Sequence, residues 1–312
     1  MKLPLCTRGR FSGIDFEKTM RIYNLCFWIS DNYAYTYIPW SNDLAVARVY
    51  WSGEYEVYSD NCEESLIEKL KWTLGIYEDL FEFRELASRD PLLSVFAKLF
   101  RGWRLRSCDL WWSLLVAICQ QNSSFKQGWR MLHKLVKVYE KEVYVENTPL
   151  LRPPTPLEVL KEPEKLKKAG LGYRAEIALR VAESIVNDII KYEDVSKLSI
   201  EEAEKTLRRI KGIGSYTARL ALMLSTRTYR LPPMDRWLKR IVSVVYSVSE
   251  REAEKYWAEK WGRWAGLASL AVTIVLDAEV LSRALERIKC GKVIPDPNVK
   301  PSPLNMNGFC KE

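Results

Sequence analysis

The chain has 312 residues, enough for one large domain or two. Its 48 lysines and arginines outnumber its 40 aspartates and glutamates, and the resulting formal net charge of +8 favours a polyanionic partner, although a solvated basic surface would give the same balance. It has no apolar run long enough to span a bilayer, no signal-peptide pattern and no Cys-x-x-Cys pair among its seven cysteines, which together predict an intracellular protein with neither a zinc site nor a disulfide framework.

The sequence pattern changes near residue 88. Before it, the segments 33–38, 44–51 and 54–58 are rich in β-branched and aromatic residues, and Ser52-Gly53 supplies a hairpin turn between the last two. After it, the periodicity is helical almost throughout. The predicted breaks are the proline-rich loop 148–156, residues 170–172, residues 212–214 and residues 231–234, and the tail 291–312 is predicted to be irregular.

A glycine hairpin joins two predicted helices in the second half of the chain. Residues 200–210 have apolar side chains at helical spacing after Ser199, a suitable N-cap. Gly212 can end that helix in a left-handed conformation, and Gly214 allows close backbone approach before a second helix that begins at Ser215. The start of a helix presents free N–H groups and the positive end of a dipole, which suits a phosphate. An ordinary helical corner is the alternative.

One carboxylate follows this hairpin at a defined distance. Asp235 comes nineteen residues after Tyr216, behind two prolines, and precedes an amphipathic helix. Aspartate at such a position is commonly an N-cap with no further role. A carboxylate beside a phosphate-binding hairpin can also serve as a catalytic group, and the combination favours that interpretation.

These residues resemble the helix-hairpin-helix DNA glycosylases of the endonuclease III superfamily, closest to the 3-methyladenine glycosylase II and 8-oxoguanine glycosylase branch. Three further landmarks occur in the order found in that family: residues 90–102, the helix 111–122 that ends in Gln121-Asn122, and the turn 169–175. The resemblance implies an α+β fold, in which an N-terminal antiparallel β domain (1–88) precedes a mostly α-helical, two-lobed core (89–290) and an irregular tail (291–312).

The resemblance also implies an activity, hydrolysis of the N-glycosidic bond of a damaged base flipped out of double-stranded DNA. Asp235 would stabilise the positive charge that develops on the sugar and orient the attacking water. Bifunctional members of the family have a lysine nucleophile where this chain has Tyr216, so we expect a monofunctional enzyme without efficient strand cleavage. Oxidised or deaminated bases (8-oxoguanine, hypoxanthine, uracil) and a non-catalytic DNA-binding role are the alternatives to an alkylated purine such as 3-methyladenine.

The remaining predicted site residues follow from the same resemblance. Tyr216 and Trp237 are expected to line the base pocket, where an aromatic face would attract a cationic alkylated base, although Tyr216 could equally be a packing residue. Gln121 and Asn122 resemble the wedge that fills the gap left by the flipped nucleotide, or else form a polar helix end. The predicted contacts to the DNA backbone are Lys211, Gly212, Ile213, Gly214, Ser215 and Thr217.

The expected partner is double-stranded DNA, bound by a monomer. No side-chain metal site is predicted, but hairpin carbonyls near residues 211–214 could share a monovalent cation with a phosphate. An iron–sulfur cluster is not expected, because only Cys290 and Cys310 follow the core. His133, the only histidine, lies within a helical run and is predicted to be structural.

Overall fold

The computed structural model describes residues 1–38 and 44–310. Its strands form a four-stranded antiparallel sheet in the order β2-β5-β4-β3 and a three-stranded sheet in the order β1-β6-β7. The strands are β1 (Lys2–Leu3), β2 (Leu5–Arg10), β3 (Tyr33–Tyr37), β4 (Ala45–Tyr50), β5 (Glu54–Ser59), β6 (Glu142–Val145) and β7 (Thr148–Leu151). The three strands predicted from aromatic and β-branched residues are confirmed as β3, β4 and β5.

The inner strand β4 of the larger sheet is buried on both faces. Alternate residues of β4 point to opposite sides, so that Val46 packs against the helical core while Ala47 and Val49 pack in a separate cluster with the first two helices. Gly53 has φ +89° in the turn between β4 and β5, a conformation that favours glycine. The sheet is therefore a layer between the N-terminal helices and the core.

The smaller sheet was not predicted. Lys2 and Leu3 pair in parallel with Tyr144 and Val145, and β7 runs antiparallel to β6 through part of the segment predicted to be a proline-rich loop. A four-residue strand gives too short a pattern to distinguish from a loop. Pro149, which has no N–H to donate, also argues against a strand in the sequence. The start of the chain is thus attached to a hairpin inside the predicted helical core.

The remaining described chain is mostly helical. The apolar helix α5 is buried nearly all round and packs against α6, α9 and α12. The helices are α1 (Phe16–Arg21), α2 (Ser65–Leu74), α3 (Phe81–Ser88), α4 (Ser94–Leu99), α5 (Leu110–Gln120), α6 (Phe125–Tyr139), α7 (Pro156–Lys161), α8 (Glu164–Lys168), α9 (Arg174–Val186), α10 (Tyr192–Val195), α11 (Ile200–Arg208), α12 (Ser215–Thr226), α13 (Arg236–Tyr246), α14 (Ala253–Trp261), α15 (Ala265–Val275) and α16 (Leu281–Lys289). Among the described residues, none of these helices has the length and apolar character needed to cross a membrane.

Two disulfides correct the prediction that the cysteines form no such framework. Cys6 is bonded to Cys62, and Cys26 is bonded to Cys310 across 284 residues. Sequence spacing cannot reveal pairs so distant, because only the fold brings them together. The second bond fixes the tail, whose described part (291–310) has one short 3₁₀ turn, Met306–Phe309, with both end residues buried. The last two residues of the predicted tail lie outside the described part of the chain.

Candidate active site

A cleft of about 860 Å³ opens where the N-terminal layer, the helical core and the tail meet. Its walls include many aromatic side chains, which suit a pocket that encloses a planar organic group. Tyr23 is stacked on Trp129, with ring centroids 5.9 Å apart, and Trp28 contacts Trp112 edge-on. The aromatic residues lining the cleft are Tyr23, Trp28, Tyr37, Trp103, Trp112, Phe125, Trp129, Tyr216 and Trp237.

The glycine hairpin lies next to this cleft and has the predicted geometry. α11 begins with a capping box between Ser199 and Glu202, and Gly212 has φ +102°. Ile213 is buried beneath the turn, and Gly214 is the N-cap of α12 with open space where a side chain would be. The first N–H groups of α12 have no partners within the helix, so the hairpin offers them to an anion at the surface.

The hairpin is joined to the end of α5 by side-chain hydrogen bonds. Gln121, the C-cap of α5, donates from Nε2 to the Gly212 carbonyl oxygen at 3.1 Å. Asn122 follows in a left-handed conformation, with φ +47°, and is exposed. The two residues predicted as a wedge therefore lie beside the hairpin that is predicted to bind a phosphate.

Sequence reasoning missed two residues that complete this surface. Arg174 donates from its guanidinium to the carbonyl oxygens of Gln121 and Asn122, and so fixes their backbone. Tyr173 is 54% exposed, contacts Arg174 and receives a hydrogen bond from Asn122 Nδ2 at 3.4 Å. The Tyr173-Arg174 pair after Gly172 was the available signal in the sequence, since an aromatic residue beside an arginine suits nucleic acid.

The Asp235 carboxyl lines the cleft at the start of α13. Its Oδ1 accepts from the Leu238 N–H at 2.8 Å, so the residue is an N-cap as well as a cleft residue. Pro232 and Pro233 restrict the approach, and a hydrogen bond from the Met234 N–H to the Pro232 carbonyl tightens the turn. The second carboxyl oxygen is available for other chemistry.

The surroundings of Asp235 shift its acidity. The side chain is open to solvent in the cleft, but the protein encloses it on its other sides. This enclosure raises the pKa of the Asp235 carboxyl above its usual value, against the opposing effect of the backbone N–H groups of α13. The helix N-terminus alone would favour ionisation, so desolvation is the larger effect here.

Tyr216 and Trp237, the residues predicted to line a base pocket, are both in the wall of this cleft. Burial raises the pKa of the Tyr216 hydroxyl, and the charge of Asp235, in the wall of the same cleft, raises it further. The Trp237 indole donates from Nε1 to the Glu279 carbonyl oxygen at 2.9 Å, so the orientation of its ring is fixed.

The predicted DNA contacts do not all lie at the surface. Lys211, Gly212 and Gly214 are exposed and Ser215 is half-buried. Thr217 is only 1% exposed: one turn into α12 its side chain faces the interior, and only its backbone N–H belongs to the helix start. Ile213 is likewise available only through its backbone.

The hairpin and the helices around the cleft give the fold of solved helix-hairpin-helix DNA glycosylases, as the sequence resemblance predicted. The 3-methyladenine DNA glycosylase from Archaeoglobus fulgidus is similar in structure with a TM-score of 0.71 and 22% identity, covering 85% of this chain and 96% of that one. The 8-oxoguanine glycosylase/lyase of Clostridium acetobutylicum, solved with double-stranded DNA containing cytosine opposite 8-oxoguanine, is similar with a TM-score of 0.63 and 19% identity. That similarity covers 78% of this chain and 94% of that one.

The sequence comparisons are more limited in extent. The DNA-3-methyladenine glycosylase of Bacillus subtilis (strain 168) is 24% identical over 175 residues, which are 55% of this chain and 58% of that protein. The chain thus spans less than two thirds of the length of the curated relative that it matches. No protein-family model matches the chain.

Proposed function

We propose that this protein is a DNA glycosylase of base-excision repair that acts on a damaged base flipped out of double-stranded DNA. The observation that carries the proposal is one carboxylate, Asp235, in the wall of an aromatic cleft beside a backbone hairpin with free N–H groups. The similar proteins named above are glycosylases for 3-methyladenine or 8-oxoguanine, which supports the same reaction class.

Each part of the site has a role in that reaction. The first N–H groups of α12 bind a DNA phosphate, while Gln121, Asn122 and Tyr173 occupy the space that the extruded nucleotide leaves. In the cleft, the Asp235 carboxylate stabilises the positive charge that develops at the anomeric carbon as its bond to the base nitrogen breaks. The bonding electron pair leaves with the base, which neutralises an alkylated purine. Water then adds its hydroxyl to that carbon, and its proton passes to the Asp235 carboxylate and on to solvent.

The substrate we propose is an alkylated purine such as 3-methyladenine. A methylated ring nitrogen gives the base a positive charge, and the nine aromatic side chains in the cleft wall supply electron-rich faces that can attract it. Replacing Tyr216 with leucine should lower the rate of release of a cationic base by about 2- to 30-fold, the equivalent of roughly 0.5–2 kcal/mol of cation–π attraction. Release of a neutral base such as hypoxanthine should change less.

That comparison is made with duplexes that each contain one lesion, under single-turnover conditions, with base release and strand cleavage scored separately. Tyr216→Phe is the matched control because it keeps the aromatic face and removes only the hydroxyl. Equal losses on cationic and neutral lesions would contradict the proposed substrate class and assign Tyr216 a packing role.

A bifunctional enzyme for oxidised bases is the second candidate. Two lysines, Lys126 and Lys300, line the cleft, and the Clostridium acetobutylicum neighbour is named a glycosylase/lyase. We propose the monofunctional reaction, because a tyrosine occupies the hairpin position of the family's nucleophile. Borohydride should therefore trap no covalent enzyme–DNA adduct during turnover; a trapped adduct mapped to Lys126 or Lys300 would establish the second candidate.

The rate of base release should decrease as pH falls, because protonated Asp235 carries no charge to stabilise the transition state. Since the pKa of this carboxyl is raised, the midpoint of the decrease should lie above about 3.9, the ordinary value for aspartate. Single-turnover rates across a pH series measure the midpoint, with circular dichroism to verify that the fold persists. A rate that stays constant down to the ordinary aspartate pKa would contradict this assignment.

We propose that the enzyme works as a monomer and without an iron–sulfur cluster. A monovalent cation at the hairpin is compatible with the geometry. The carbonyl oxygens of Lys211 and Gly212 each accept one side-chain hydrogen bond, from Arg180 and Gln121, and each retains a second lone pair.

A further inference from the structure

Three potential metal ligands from distant parts of the chain meet below the cleft. Cys26 belongs to the 3₁₀ turn Cys26–Trp28, His133 to α6 and Cys310 to the end of the tail. Their ligand atoms all lie within 4.8 Å of one another, and His133 Nε2 is 3.9 Å from Cys310 Sγ. Cys26 and His133 are buried, whereas Cys310 is exposed. The site is therefore formed in the interior but can be reached from one side.

Two thiolates and one imidazole are a recognised ligand set for Zn²⁺ and other soft divalent ions, with a fourth position left for water. In the structure the two sulfurs are joined as a disulfide, so neither is a thiolate. A metal can bind here only after that bond is reduced. Cys310 is the exposed C-cap of the 3₁₀ turn Met306–Phe309, so its side chain lies at the surface where an ion can reach it.

The other disulfide provides an internal comparison. Cys6 and Cys62 are bonded to each other as well, but the atoms near Cys6 Sγ are the carbonyl oxygens of Pro4 and Ser59. No imidazole can join them, because His133 is the only histidine in the sequence. The position of His133 next to one pair alone is what distinguishes a metal site from two simple crosslinks.

We propose that Cys26, His133 and Cys310 form a redox-controlled metal site, closed by a disulfide in the oxidised protein and by a soft divalent ion in the reduced one. A dithiol or phosphine supplies two electrons to the disulfide and is itself oxidised, and the two sulfurs take up two protons. Zn²⁺ then displaces those two protons and binds both thiolates and His133.

Either the disulfide or the bound ion would hold the tail in place. Phe309, beside Cys310, packs on Phe125 in the cleft wall, and Lys300 and Pro301 of the tail line the same cleft. A protein able to exchange a disulfide for a metal would keep this wall in both oxidising and reducing surroundings. The site itself does not depend on the proposed glycosylase reaction, so the two can fail separately.

The test uses Co²⁺ as the probe, because its thiolate complexes absorb in the near ultraviolet and its tetrahedral complexes absorb in the visible. The full-length protein is reduced with a phosphine in oxygen-free buffer, titrated with Co²⁺ and then with Zn²⁺. We expect one Co²⁺ per chain with both bands, displaced by Zn²⁺, and no such bands in the oxidised protein. Reduced protein without these bands would overturn the proposal.

Variants identify the ligands. Cys6→Ser/Cys62→Ser should bind Co²⁺ like the wild type, Cys26→Ser/Cys310→Ser should lose the thiolate band, and His133→Gln should weaken binding by at least roughly 10- to 100-fold, the loss that even an indirect supporting partner causes. Unchanged binding in either of the last two variants would refute the assignment. If Cys26→Ser/Cys310→Ser does not fold, native mass spectrometry of the wild type with Zn²⁺, before and after reduction, tests the metal site instead. One ion bound only after reduction supports the site, and no bound ion refutes it.

Discussion

Replacing Asp235 with asparagine should reduce the rate of base release by roughly 10²- to 10⁴-fold, the usual contribution of a positioned acid–base group. Asparagine has nearly the same shape but carries no negative charge, so it can neither stabilise the developing positive charge nor accept a proton. Affinity for the duplex should stay within about threefold, because phosphate contacts dominate DNA affinity and the hairpin is unchanged. Single-turnover kinetics and a binding titration on one lesion-containing duplex measure both quantities.

This substitution separates catalysis from folding unusually well. Asp235 is the N-cap of α13, and asparagine caps helices about as effectively as aspartate, so the free energy of unfolding should change little. Asp15→Asn is the matched control: Asp15 caps α1 through the Lys18 N–H but does not line the cleft. If both variants release bases at the wild-type rate, Asp235 is only a cap and the protein is a DNA-binding protein of another class.

The parts of the site that could be predicted are those in which local sequence determines local structure. Gly212 and Gly214 define the hairpin by backbone conformation alone, and Ser199 caps α11 through a residue three positions away. Asp235 was placed by its distance along the chain from this hairpin. The strands β3, β4 and β5 were equally visible, because each has enough β-branched and aromatic residues to differ from a helix.

The parts that were missed depend on contacts between distant residues. β1 pairs with β6 across about 140 positions, and Cys26 meets Cys310 across 284. Arg174 contacts Gln121 and Asn122 only because α9 packs beside the end of α5. Thr217 shows the converse limit: the sequence placed it correctly on a helix, but only packing determines that its side chain faces inward.

The two hairpin glycines should respond differently to replacement by alanine. At Gly212, which has φ +102°, a Cβ atom would lie 2.6 Å from Ile177 Cγ1, within the buried core below the turn. Backbone strain of about 1–3 kcal/mol and overpacking of about 1–3 kcal/mol should together lower the free energy of unfolding by about 2–6 kcal/mol. The displaced hairpin should also lose much of its affinity for the duplex, since Gln121 is bonded to the Gly212 carbonyl.

Gly214→Ala is the matched variant in which only the surface changes. Gly214 has φ −93° and open space around the position of a Cβ atom, so the free energy of unfolding should remain near that of the wild type. The added methyl group would stand where a phosphate approaches the first N–H groups of α12. Losing one charge-assisted hydrogen bond costs about 1.5–3 kcal/mol, which weakens duplex binding by roughly 10- to 150-fold.

Thermal or chemical unfolding and a duplex titration on both variants separate the two effects. We expect Gly212→Ala to lower stability and affinity together, and Gly214→Ala to lower affinity alone. A protein group that binds a DNA phosphate releases counterions from the DNA, and this release makes affinity depend on salt. The affinity of Gly214→Ala should therefore depend less steeply on salt than that of the wild type. Wild-type affinity and salt dependence in Gly214→Ala would mean that the phosphate does not bind at this turn, and the DNA would then have to be held elsewhere around the cleft.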